Sequence, residues 1–151
     1  ENSDMVLNSF QEIQRVEWDT LLFFFGIIFA VGGLGAIGYL ALSSEYLYTG
    51  LGATSANIII GALSAIVDNI PLMFAVLTMD PQMSAGQWLL ITLTCGVGGS
   101  MLSIGSAAGV ALMGTAKGQY TFSSHLKWAW AVAAGYVASI GAHLLVNARL
   151  F

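Results

Sequence analysis

Asp68 and Asn69 are adjacent in the run Gly61-Ala-Leu-Ser-Ala-Ile-Val-Asp-Asn-Ile-Pro-Leu-Met-Phe-Ala-Val-Leu77, with Ser64 one helical turn before the acid and Pro71 just after it. A carboxylate, an amide and a hydroxyl are hard oxygen donors, the ligand set that suits a hard cation. A carboxylate also takes up a proton, so one site can hold either species and binding of one displaces the other. Asp68 is the one acid well inside an apolar segment of this chain. Near a bilayer centre an ionised Asp costs roughly 2.5–3.5 kcal/mol on the insertion scale, and such residues mark ion or proton pathways. A second polar set stands in Gly96-Val-Gly-Gly-Ser-Met-Leu-Ser-Ile-Gly-Ser-Ala-Ala-Gly109, where Ser100, Ser103 and Ser106 recur every third residue among Gly98, Gly99 and Gly105.

These residues lie in a membrane chain. Of 151 residues, 57% are hydrophobic and 8% charged, against about 25% charged in soluble domains. The net charge is −4 with only four Lys+Arg, which removes the electrostatic basis for nucleic-acid binding. The single Cys95 can form no intrachain disulfide and identifies no redox compartment. No thiolate or imidazole cluster accompanies the oxygen donors, so a transition-metal site is not expected. The chain opens with Glu1 rather than Met, as a portion of a longer protein would.

The positioning elements follow from hydropathy and helix breakers. Residues 1–19 are mixed and suit either an interfacial amphipathic helix or a connecting loop. Residues 20–148 form the membrane domain. An uncharged span is expected over 20–42, its glycines packing against a neighbour, followed by the polar patch Ser43, Ser44, Glu45, Tyr46 and Tyr48. Residues 50–79 would make a helix of roughly 45 Å, too long for one upright span. Pro71 lacks an amide donor and steers Ile70 out of the helical region. Asp68 and Asn69 favour caps and turns. The break is therefore expected at Val67 to Ile70, giving a re-entrant hairpin with its tip inside the membrane. Residues 87–116 are also over-long, and Gly98, Gly99 and Gly105 predict a helix that unwinds and resumes. A polar loop precedes a plain span over 128–148, and 149–151 form a tail. Trp18, Trp88, Trp128 and Trp130 fall at segment starts, where interfacial aromatics belong. With the hairpin, Arg15, Lys117 and Lys127 share one side, the cytoplasmic one by the positive-inside rule. The hairpin then enters from outside.

Each feature has a plainer alternative. Asp68 and Asn69 could simply cap the second hairpin arm, and the glycines could simply allow close helix contact. His143 reads as a bundle histidine, His125 as an exposed loop residue, and Cys95 as packing. Two adjacent interrupted segments are nevertheless the best sequence pointer to a transporter site.

At Ser64-Ala-Ile-Val-Asp-Asn-Ile-Pro71 and Gly98-Gly-Ser-Met-Leu-Ser-Ile-Gly-Ser-Ala-Ala-Gly109 the chain resembles the NhaD family of sodium/proton antiporters, within the wider ion-transporter superfamily. Glu17-Trp-Asp-Thr-Leu-Leu-Phe-Phe-Phe-Gly26 is similar to the opening of a family helix. The resemblance implies an all-α polytopic membrane fold, one repeat of an inverted-repeat transporter, whose partner repeat lies in a missing N-terminal part. It implies an ion and proton site on Ser64, Asp68 and Asn69 with Ser100, Ser103 and Ser106, Na⁺ held by Asp68 and Asn69. It further implies no cofactor, transport of Na⁺ and also Li⁺ against H⁺, and a homodimer in the bacterial inner membrane. Many superfamily members have an Asn-Thr pair where this chain has Ser100 and Met101, which disfavours a carboxylate substrate. The alternatives are an anion or oxyanion carrier and a noncatalytic membrane subunit. An intramembrane enzyme is not expected, because no Ser/His pair, metal-binding His motif or paired acids stand in the spans.

Overall fold

A computed structural model of the chain describes residues 18–116 and 118–151. The regular elements among the described residues are all helices, without strands. The helices are α1 (Trp18–Ala36), α2 (Tyr39–Ser44), α3 (Ala53–Leu63), α4 (Asn69–Met79), α5 (Ala85–Gly98), α6 (Ala107–Thr115), α7 (Phe122–Leu126) and α8 (Ala129–Val146). A π-helical turn, Glu45–Gly50, continues α2, and a 3₁₀ turn, Ala148–Leu150, follows α8. The expectation for residues 1–19 lies almost wholly outside the described residues.

The first apolar segment, where a span is expected over 20–42, is bent. Leu21–Ala36 and Tyr39–Gly50 meet at 82°. Gly38 adopts φ 86°, a left-handed conformation that only glycine takes without strain, and its amide closes on Gly35 O at 3.0 Å. The sequence offers five glycines between 26 and 38 and no sign of which one turns. The polar patch after it is helical too, with Glu45 opening the π-turn.

α5 is the central strut. Residues four apart share a helix face, so Ile91 and Cys95 point one way, into an apolar cluster with Ile60 of α3 and Val76 of α4. Leu90 points another way, to Tyr136 and Ile140 of α8. Among lipid tails apolar burial drives helix pairing weakly, so close packing and interhelical hydrogen bonds must do it. The α3–α5 joint has both. Gly61 faces Thr94 so closely that a Cβ on Gly61 would overlap the Thr94 side chain and backbone. The Thr94 hydroxyl donates to Asn57 O at 2.9 Å. The fully buried Asn57 amide donates to Gln87 O and Gln87 Oε1, each at 3.0 Å, and accepts from the Tyr48 hydroxyl at 3.2 Å. Gln87 in turn donates to Thr54 Oγ1 at 2.6 Å.

α8, of 18 residues, is long and apolar enough to cross a bilayer. Its end leaves Leu145 82% and Val146 80% exposed, a face that calls for an apolar surround. His143 ties α8 to α5. Its Nε2 stands 3.0 Å from Gly86 O, an acceptor, so Nε2 carries the proton and Nδ1 accepts from the Asn147 amide at 2.9 Å. Both ring nitrogens are engaged, and His143 is a structural link, as its position in the bundle suggested.

Candidate functional site

The first break lies between α3 and α4. Ser64 is the C-cap of α3, and non-helical turns carry the chain over 64–68. Asp68, with φ −47° and ψ 136°, is the N-cap of α4; its carboxylate accepts a long 3.4 Å bond from the Ile70 amide. The break thus falls upstream of the expected Val67 to Ile70, and Asn69 and Ile70 are already helical. The reason is positional. Pro71 sits in the first turn of α4, where an amide has no intrahelical acceptor to lose. Pro71 therefore begins a helix instead of breaking one. Asp68 does cap this helix, while Asn69 is its first residue, and the Asp68 side chain is half-buried.

The Ser64 hydroxyl is fully buried. It reaches Gly61 O at 2.6 Å and Cys95 O at 3.0 Å, sharing its one proton between a carbonyl of its own helix and a carbonyl of α5.

The second break, over 99–106, separates α5 from α6. Gly98 ends α5, and Gly99 caps it with right-handed φ −58°. None of Gly98, Gly99 and Gly105 has positive φ, so they do not serve the unwinding by unusual backbone angles. They serve it by lacking Cβ. A Cβ on Gly98 would run into Gly61 O and the Ser64 hydroxyl, and one on Gly105 would stand 2.5 Å from Ala65 O. A Cβ on Gly99 would stand 3.4 Å from the Asn69 Cβ. The two breaks are packed face to face. Ser106, extended at φ −148°, caps α6 by accepting from the Gly109 amide at 3.1 Å.

Two cavities flank this contact. One of about 460 Å³ is mostly apolar, lined by Asn69, Met73, Phe74, Leu77, Thr92 and Cys95 among others. The other, about 220 Å³, is lined by Ser100, Ser103, Ser106, Gly109, Tyr120 and His125 among others. The structure therefore brings the three serines together, sets Ser64 against Gly98 and Gly105, and sets Asn69 beside Gly99. Asp68 lines neither cavity. Ser103 is 2% exposed, and its hydroxyl is the one buried side-chain polar atom among the described residues with no hydrogen-bond partner. Among the described residues no three His, Cys, Asp or Glu side chains gather to hold a metal; the donors available are hydroxyl, amide and carbonyl oxygens and one carboxylate.

Sequence reasoning missed two participants. His125 is half-buried rather than an exposed loop residue. Its Nε2 lies 3.1 Å from Ser100 O and 3.2 Å from Met101 O, and the Tyr120 hydroxyl lies 2.6 Å from its Nδ1. Nothing local signals this, because His125 meets the second break across 24 and 25 residues of chain. The Asn57–Gln87 link was detectable in principle, as two amide side chains in otherwise apolar segments.

The citrate transporter family profile matches residues 6–96. The chain is 66% identical over 142 residues to the Na(+)/H(+) antiporter NhaD of Alkalimonas amylolytica, covering 94% of this chain and 29% of that protein. It is 64% identical to the protein of that name from Halomonas elongata, again over 94% of this chain and 29% of the relative. Sodium/proton antiporter 1 of Arabidopsis thaliana is 40% identical over 91% of this chain and 24% of its own length. The chain thus spans less than a third of the length of these relatives. No solved structure matches it. By the profile match the chain belongs to the citrate transporter family, and the two bacterial relatives that match 94% of it carry the name NhaD.

Proposed function

We propose that this chain is part of a secondary transporter that exchanges Na⁺, with Li⁺ as a second cargo, for H⁺, and that Asp68 is the site the cation and the proton share. The observation that carries the reading is the apposition of two helix breaks, with Gly98, Gly99 and Gly105 admitting Ser64, Ala65 and Asn69. Breaks at membrane depth survive only where protein or an aqueous path satisfies their backbone, and paired breaks are where carriers bind ions. On this reading α3 and α4 are the arms of a re-entrant hairpin, entered from outside. Asn69 and Ser64 complete the Asp68 end, and Ser100, Ser103 and Ser106 supply oxygens from the second break. The rest of the protein supplies the inverted partner repeat, and the whole works as a homodimeric multi-pass protein of the bacterial inner membrane. It makes and breaks no covalent bond and needs no cofactor.

The test is Asp68→Asn in the full-length protein, in everted vesicles with a pH-sensitive dye. Addition of NaCl should collapse the proton gradient in the parent and leave it intact in the variant; undiminished exchange by Asp68→Asn refutes the role. The family name and the unpartnered Ser103 hydroxyl near the α6 N-terminus favour an oxyanion carrier as the second reading. Citrate, succinate and arsenite additions in the same vesicles separate the two.

A further inference from the structure

We propose that His125 is a positioning residue of the serine-lined cavity, its imidazole oriented by Tyr120 and fixing the Ser100 and Met101 carbonyls that help shape the cation path. The inference rests on the antiport reading above and extends it to two residues outside the broken segments.

The geometry defines the hydrogen-bond directions. Ser100 O and Met101 O are acceptors only, so the Nε2 that faces both at 3.1 and 3.2 Å carries the ring proton. In the neutral ring Nδ1 is then an acceptor, and the Tyr120 hydroxyl at 2.6 Å donates to it. Which nitrogen holds the proton is set by the bond the other makes, so Tyr120 selects the tautomer that can bind the carbonyls. The two rings meet edge to face, centroids 5.8 Å apart at 76°. The start of α7 is also anchored. Thr121 and Ser124 form a reciprocal capping box, which fixes the first turn and delivers His125 to the break.

The carbonyls need such a partner. Residues 100 and 101 lie beyond the end of α5, and neither carbonyl accepts a backbone amide among the described residues. The Ser100–Met101 peptide plane has one further anchor, the Met101 amide on Gly98 O at 2.9 Å, whereas the Met101 carbonyl has His125 as its hydrogen-bond partner. With His125, both carbonyl oxygens are aimed at the imidazole, and the Ser103 hydroxyl is left as the unpartnered oxygen in the same cavity. His125 thereby sets which oxygens a cation finds.

The experiment uses the full-length antiporter, parent and variants, in everted vesicles with NaCl and LiCl as probes. His125→Phe keeps a flat ring and removes the donor. It should raise the apparent KM for Na⁺ about three- to tenfold, the worth of one lost net hydrogen bond, with maximal rate within about twofold of the parent. The Na⁺/Li⁺ preference should shift with it. His125→Gln, whose amide can present an N–H near the Nε2 position, should restore KM to within about twofold of the parent. Tyr120→Phe should fall between, because the ring packing remains and only the tautomer control is lost. ¹⁵N-histidine spectra give a readout independent of transport: a signal lost in His125→Gln should show the Nε2–H tautomer in the parent and a mixture in Tyr120→Phe. Unchanged KM and ion preference in His125→Phe overturn the inference, as does an Nδ1–H signature in the parent. A parent that moves no protons on NaCl addition overturns the antiport reading instead.

Discussion

Gly98→Ala is the sharpest test of the packed breaks. The added methyl has nowhere to go, since its Cβ would overlap Gly61 O and press on the Ser64 hydroxyl. Those atoms are a helix carbonyl and a buried side chain already bonded to Gly61 O and Cys95 O, not the loose end of a flexible chain. Relief requires α3 and α5 to separate at the point where Gly61 and Thr94 are closest. Overpacking of this kind costs about 1–3 kcal/mol; a value of about 2 kcal/mol lowers the folded-to-unfolded ratio about thirtyfold. Gly96→Ala is the matched control, because a Cβ at Gly96 meets nothing within 4 Å and Ala is the better helix former by about 1 kcal/mol. The assay is unfolding of the full-length protein in detergent, followed by tryptophan fluorescence, alongside vesicle transport. Gly98→Ala should be less stable than the parent and lose exchange, while Gly96→Ala should match or exceed the parent in stability. Equal stability of the two variants would refute the face-to-face contact, and with it the observation on which the transport reading stands.

Asn57→Ala should destabilise by about 1–3 kcal/mol, because it leaves the buried Gln87 Oε1 and the half-buried Tyr48 hydroxyl without this partner; the same fluorescence unfolding assay reads it, and a change under about 0.5 kcal/mol contradicts the network. Ser103→Ala should match the parent in stability or exceed it by up to about 1–3 kcal/mol, since its buried hydroxyl has no hydrogen bond to lose and its desolvation cost is removed, while the apparent KM for Na⁺ rises; a stability loss without a KM change would make Ser103 structural. Together with Asp68→Asn and His125→Phe, these variants separate packing from ion binding.

Much of this site was legible because its residues violate a local rule. Asp68, Asn69 and Pro71 are costly inside an apolar helix, and a sequence that keeps them must interrupt that helix. The exact point of interruption was not legible, since Pro71 can break a helix or begin one. Only the capping bond from Asp68 to Ile70 shows that it begins α4. The serine–glycine run gave the second break, yet not the way its glycines act. Their φ values are ordinary, and their use appears only once Ser64 and Ala65 are seen against them. Gly38 and His125 were illegible for opposite reasons. Gly38 is one of several equivalent glycines, and nothing in its local sequence sets it apart as the one with positive φ. His125 has a neutral local context and gains its partners through a long-range contact.

The breaks also explain each other. Unwinding two helices frees amides and carbonyls that hydrocarbon cannot satisfy, and side chains at the site supply partners for several of them. Asp68 takes the Ile70 amide and Ser106 the Gly109 amide. His125 serves Ser100 O and Met101 O, while Ser64 adds a second bond to Gly61 O and to Cys95 O, which also accept the Ser64 and Gly99 amides. Such side-chain partners reduce the ordering that binding would otherwise cost, the condition for selectivity that the proposed antiport reading requires. Against that background the Ser103 hydroxyl is the exception, buried and unpartnered in a cavity that two other serines share. A buried hydroxyl left without a partner costs about 1–3 kcal/mol. On the proposed antiport reading, that hydroxyl is the oxygen with a free place for a cation, which is why Ser103→Ala is the variant expected to raise KM.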